Sequence, residues 1–120
     1  MTIRAIRGAT TLTTDDRDHL HERTQELVRA MLQANSLDTD ALISVFFTCT
    51  PDIVSDFPAA AARALDLGAV PLMCAQEMGV PGALPLVVRV MMHTHLETPR
   101  DEVQHIYLHE AASLRRDLAQ

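Results

Sequence analysis

The run LPLVVRVMMHTH, Leu84 to His95, constrains the chain more than any other stretch. It is the longest β-prone segment, and a strand of that length needs hydrogen-bonding neighbours, so the fold contains a sheet. Arg89 stands in its middle, flanked by Val87, Val88, Val90 and Met91. With a side-chain period of two, Arg89 shares a face with Val87 and Met91. A guanidinium there is either paired with an internal acid or aimed into a cleft, and the pattern alone does not choose between them. The nearest candidate acid is Glu77, in CAQEMG, just before the loop containing Gly79, Pro81 and Gly82.

The remaining segments supply the neighbours. Residues 2 to 12 read as a first strand, in which alternation sends Arg4 and Arg7 of IRAIRGATT to opposite faces. Thr13 to Asp16 is a cluster of N-cap candidates, and Leu20, Leu27, Val28, Met31 and Leu32 then recur at helical spacing, which predicts an amphipathic helix over 15–34. Leu42 to Thr48 reads as a central strand ending at Thr50-Pro51-Asp52. FPAAAARALDLG predicts a helix of two or three turns, with Pro58 near its start, Gly68 as its stop, and Ala59 and Arg63 one turn apart. Ala69 to Cys74 reads as a buried strand and QHIYLHE as the last one. The expected product is a single α+β domain over residues 1–120. It has a mixed sheet of about five strands packed against one long and one short helix, and residues 114–120 form a mobile polar tail.

Charge and composition then narrow the function. Ten basic against sixteen acidic residues give a net charge of -6, the wrong sign for general nucleic-acid binding. No apolar run approaches the ~20 residues needed to cross a bilayer. No signal-like segment precedes the first strand, and Cys49 and Cys74 lie in no CxxC, so a cytoplasmic protein with reduced thiols is expected. An apolar content of 48%, with six Met, is high for a small monomer and points to surface buried between subunits. All ten basic residues are Arg; besides a coding bias, planar forks for carboxylate or phosphate would produce the same usage.

Few residues offer covalent chemistry. There is no GxSxG, P-loop or GxGxxG, and Cys74 has no His or Lys beside it as an activator. His93 with His95, and His105 with His109, lack a Cys or carboxylate to complete a metal ligand set. Tyr107 points away from the face buried by Ile106 and Leu108, and as the only Tyr it is no stacking platform for bases. A set of arginines, one Glu, one Tyr and a thiol without a general base favours binding a small anion. It equally suits a reaction in which the protein supplies placement and electrostatics.

Five motifs in order, IRGATT (Ile6–Thr11), TPD with FPA (Thr50–Asp52, Phe57–Ala59), CAQEM (Cys74–Met78), RVMMH (Arg89–His93) and HIYL (His105–Leu108), resemble the monofunctional chorismate mutases of the trimeric, Bacillus-type class. The resemblance spans essentially the whole chain. It implies a homotrimer with a barrel-like core and interfacial clefts, and a cofactor-free Claisen rearrangement of chorismate to prephenate. By the same resemblance Arg89 stabilises the breaking ether oxygen, Glu77 accepts from the ring hydroxyl and Cys74 lies close by. Arg7 with Tyr107 binds a carboxylate, and Gly8 and Ala9 let backbone and substrate approach. Phe57, Ala59, Arg63 and Arg115 close the rim, and Leu72 and Met73 supply backbone and apolar wall. Ala60 stands where some relatives carry Lys, one cationic rim contact fewer. The alternative is a trimeric small-carboxylate binding protein or imine deaminase of the YjgF/Rid type, for which one interfacial Arg would suffice.

Overall fold

The structure is a computed structural model that describes residues 1–115, apart from the side chain of Arg115. Five strands form one mixed sheet in the order β3-β2-β4-β1-β5. The long run of the sequence is β4 (Val87–His95), at the centre of the sheet. It pairs antiparallel with β1 (Ile3–Thr11) on one side and β2 (Leu42–Cys49) on the other. The edges are β3 (Leu72–Gln76), parallel to β2, and β5 (Ile106–Tyr107), parallel to β1. Since β1 and β2 both oppose β4, they run parallel to each other, and α1 (Arg17–Ala34) makes the crossover that such a pair requires.

Asp16 caps α1, its carboxylate accepting from His19 N at 3.1 Å. The helix buries Leu20, Thr24, Leu27, Val28 and Met31 against one face of the sheet. There Ile6, Val45, Phe47, Val90 and Met92 complete the main core. β1 approaches α1 so closely that a Cβ on Gly8 would collide with Met31 Sδ and lie 3.1 Å from Leu27 Cδ1. The helix alone therefore requires a glycine here, and the Gly8 backbone also lines the cleft on the other face of the sheet.

Three local expectations also need correction. The second helix is α2 (Pro58–Ala62), running on as a 3-10 turn over Arg63–Leu65 and stopped by Asp66 in the left-handed conformation (φ 62°), not by Gly68. β3 begins at Leu72 rather than Ala69, after a Pro71 that has no amide hydrogen for the ladder, and it is an edge strand with Met73 and Ala75 exposed, not a buried one. Only Ile106 and Tyr107 of the last predicted strand pair with β1 before a 3-10 helix, His109–Arg115, takes over. That helix contains Leu114 and the Arg115 backbone, where the tail was expected to start; residues 116–120 of the expected mobile tail lie outside the described residues.

Candidate active site

The face of the sheet away from α1 carries the predicted cation pair. Register fixes it: Ala9 opposes Arg89, Arg7 opposes Met91, and Thr48 opposes Arg89 from the other side. Directly paired residues share a face, so Arg7, Thr48, Arg89 and Met91 all project from the outer surface. Tyr107 joins them through its pairing with Ala9. Arg7, Phe46, Thr48, Arg89, Met91 and Tyr107 line a cleft of 220 Å³.

Both alternatives for Arg89 are true at once. Its Nε donates to Glu77 Oε1 at 3.1 Å and Oε2 at 3.0 Å, while Thr48 Oγ1 donates to Glu77 Oε2 at 2.6 Å. Glu77 is positioned by the end of the β2–β3 ladder, its N donating to Cys49 O at 2.9 Å. The carboxylate thus tethers the guanidinium by its inner nitrogen, and the two terminal NH₂ groups have no partner among the described residues. A fork held at its base and open at its tip is preorganised to meet an anionic oxygen. The Arg7 guanidinium likewise has no partner among the described residues, so this cleft holds two cations against one acid.

The other predicted site residues fall elsewhere on the chain. Phe57 and Cys74 line a second cleft of 410 Å³ with Val54, Asp56 and Gln76. Cys74 therefore does not meet Arg89 within one chain; its Sγ accepts from Ala59 N at 3.4 Å and supports the start of α2. Leu72 packs against the helix-side core, Met73 is exposed on the outer face, and Arg63 lines neither cleft. The Arg115 side chain lies outside the described residues. Cys49 lines the second cleft as well, and burial, with Cys74 and Glu77 nearby, pushes its thiol up, so it stays protonated at neutral pH.

Thr48 is the member that sequence reasoning missed. Its signal was weak: a lone hydroxyl near the end of an apolar strand, meaningful only once register sets it beside Arg89.

Fold and cleft together define a class, small α+β proteins that present a tethered guanidinium, a second free one and a phenol to an anion. The family described as chorismate mutase type I matches residues 3–118, and the chain belongs to it. Chorismate mutase AroH of Thermus thermophilus is 46% identical over 117 residues, 97% of this chain and 96% of that protein. Its counterpart from Bacillus subtilis is 37% identical over 120 residues, 99% and 94% of the two chains. A solved chorismate mutase from Clostridium thermocellum superposes with a TM-score of 0.89 at 40% identity, covering 91% of this chain and 97% of its own. The YjgF/Rid-type alternative is not favoured by these likenesses.

Proposed function

We propose that chorismate is held between the Arg7–Arg89–Tyr107 cleft of one chain and the Phe57–Cys74 wall of another, in a homotrimer that works in the cytoplasm. The protein is a chorismate mutase, an isomerase that rearranges chorismate to prephenate in aromatic amino acid biosynthesis. One C–O bond breaks and one C–C bond forms within the same molecule. No group leaves, so the protein's contribution is placement and charge stabilisation.

Arg89 turns its two terminal NH₂ groups to the ether oxygen as that atom gains negative charge. Because Glu77 already holds Nε, little reorganisation accompanies the transition state, and such a donor contributes roughly 3 to 4 kcal/mol. Arg7 takes a substrate carboxylate with Tyr107 donating beside it. Glu77 keeps acceptor capacity for the ring hydroxyl besides its bonds to Arg89 and Thr48. Phe57, Ala59, Arg63 and Arg115 close the rim, Met73 and Cys74 form the wall, and Leu72 contributes only backbone.

The observation that carries the reading is Arg89, tethered by one nitrogen and, among the described residues, open at the other two. Assembly is supported by the same sheet face, where Ile3 is 56%, Phe46 39% and Met73 61% exposed in the lone chain. A second copy covering that face would remove apolar surface from water and bring a Phe57 wall to the arginines. Mixing two subunit variants tests this. Arg89→Ala and Arg63→Ala protein, each poorly active, are unfolded together and refolded, and the loss of chorismate ultraviolet absorbance is followed. Recovery of turnover is expected from mixed trimers; no recovery in trimers shown to be mixed would place the whole site on one chain.

A further inference from the structure

Glu77 is fastened to β2 twice, at consecutive residues. Its N donates to Cys49 O at 2.9 Å, and its Oε2 accepts from Thr48 Oγ1 at 2.6 Å. The Thr48 bond does something that Arg89 does not. Arg89 Nε sits astride the carboxylate, 3.1 Å from Oε1 and 3.0 Å from Oε2, and so does not tell the two oxygens apart. The torsion that turns a Glu carboxylate is broad and roughly two-fold, and a contact shared evenly by both oxygens fixes it poorly. Thr48 touches one oxygen only. Register places it directly opposite Arg89 across β2 and β4, half-buried in the lining of the same cleft.

We propose that Thr48 is a positioning residue for the rearrangement, acting through Glu77: its hydroxyl fixes the plane of the carboxylate and decides which oxygen faces substrate. This rests on the roles given to Arg89 and Glu77 above. Each oxygen of a carboxylate has about two acceptor sites. On Oε2 both are used, by Thr48 Oγ1 and Arg89 Nε, whereas Oε1 accepts from Arg89 Nε alone among the described residues. Oε1 is therefore the oxygen that receives the ring hydroxyl of chorismate. A carboxylate fixed in its plane also fixes the direction of Nε. Because the guanidinium is rigid and planar, the direction of its two terminal NH₂ groups follows. A short bond to an ionised acceptor is among the stronger hydrogen bonds, which suits this task. Of the two β2 side chains that line the cleft, Phe46 and Thr48, only Thr48 can perform it.

Thr48→Val removes the hydroxyl and keeps the β-branched shape, Thr48→Ala is a second hydroxyl-free variant, and Thr48→Ser keeps the hydroxyl. Steady-state chorismate consumption by the intact protein is measured for each, and for the hydroxyl-free variants combined with Glu77→Ala. Loss of the hydroxyl is expected to lower kcat by about fivefold or more, with KM changed by less than about threefold. Thr48→Ser is expected to restore most of that loss. Within Glu77→Ala, where no carboxylate is left to orient, removing the hydroxyl is expected to lower kcat by less than about twofold further. Hydroxyl-free protein with wild-type kcat, or changed in KM alone, would overturn the proposal, as would a Thr48→Ser protein as slow as Thr48→Val. Equal losses with and without Glu77 would overturn it too, since Thr48 would then act by packing. Arg89→Ala, measured beside them, separates this proposal from the reading it rests on. Activity within tenfold of wild type in Arg89→Ala removes the role of Arg89 and this proposal with it. An inactive Arg89→Ala beside an unaffected Thr48→Val removes the role of Thr48 alone.

Discussion

Among the described residues Arg89 is held by one nitrogen, and that attachment makes two residues answerable for its position. Removing the guanidinium in Arg89→Ala should lower turnover by at least ~10²-fold. Arg89→Lys should recover little of it, since an ammonium keeps the charge but cannot hold Glu77 with one nitrogen and offer two others. Glu77→Ala leaves the arginine in place and removes its tether, so kcat should fall by about tenfold or more. Glu77→Gln still accepts from Nε and should lie between Glu77→Ala and wild type. Chorismate consumption under steady-state conditions separates these cases, with sedimentation showing the assembly unchanged. An Arg89→Ala protein active to within tenfold would remove Arg89 from the role given to it.

Between β2 and β4 the TPD motif closes a junction rather than touching substrate. Thr50 Oγ1 donates to Asp52 Oδ1 at 2.5 Å and accepts from Val87 N at 3.0 Å, while Asp52 Oδ2 accepts from Leu86 N at 3.0 Å. Leu86 sits at φ 54°, a conformation a branched apolar residue adopts only when its surroundings hold it there. Asp52→Ala should therefore destabilise the fold by about 1 to 3 kcal/mol, read from urea unfolding, by freeing a strained residue at the entry to the Arg89 strand. Gly8→Ala should cost a similar ~1 to 3 kcal/mol by overpacking α1 against β1, with the β4 face bearing Arg89 untouched. These elements also mark how far the sequence could be read. Periodicity and capping give α1 and the three long strands, because each buries a continuous face and ends at a strong local signal. β3 and β5 were mis-sized because an edge strand lasts only as long as its neighbour's register, which no local pattern records. Asp66 was passed over for Gly68 because composition cannot show which residue turns left-handed. The partners of Arg89 were half legible: Glu77 was a candidate by proximity, whereas Thr48 and the separation of Cys74 from Arg89 depend on how β2 is placed against β3 and β4.

Across the molecule, the wall that carries Phe57 is joined to α1 by the packing of α2, with Ala61 and Ala62 buried, and the loop before it is tied to α1 and its preceding turn by carboxylates. Asp15 accepts from Val54 N at 2.9 Å and Ser55 N at 3.3 Å, and Asp56 meets His21 Nε2 at 2.7 Å and Arg17 Nε at 3.3 Å. Hydrogen bonds from Ser55 and Val54 hold the Asp15 carboxyl below its ordinary range, and those from His21 and Phe57 do the same for Asp56. Glu97, bonded by Thr2 at the other end of the sheet, is also lowered. A carboxylate that titrates lower in the folded state than in the unfolded one contributes its full stability above the unfolded value. It loses that contribution as the pH falls through the unfolded value to the folded one. With unfolded values near ~4, these contacts should add to stability around pH 6 and be lost as the pH falls below about 4, lowering the melting temperature modestly because the groups are solvent-screened. Asp15→Asn should melt lower than wild type at pH 6, yet lose less on acidification, because one of the three titrating contacts is already gone. Thermal melts of both proteins across that range provide the check. Parallel curves for the two would show that Asp15 does not hold the Val54–Ser55 segment, and that the Phe57 wall is secured by packing alone.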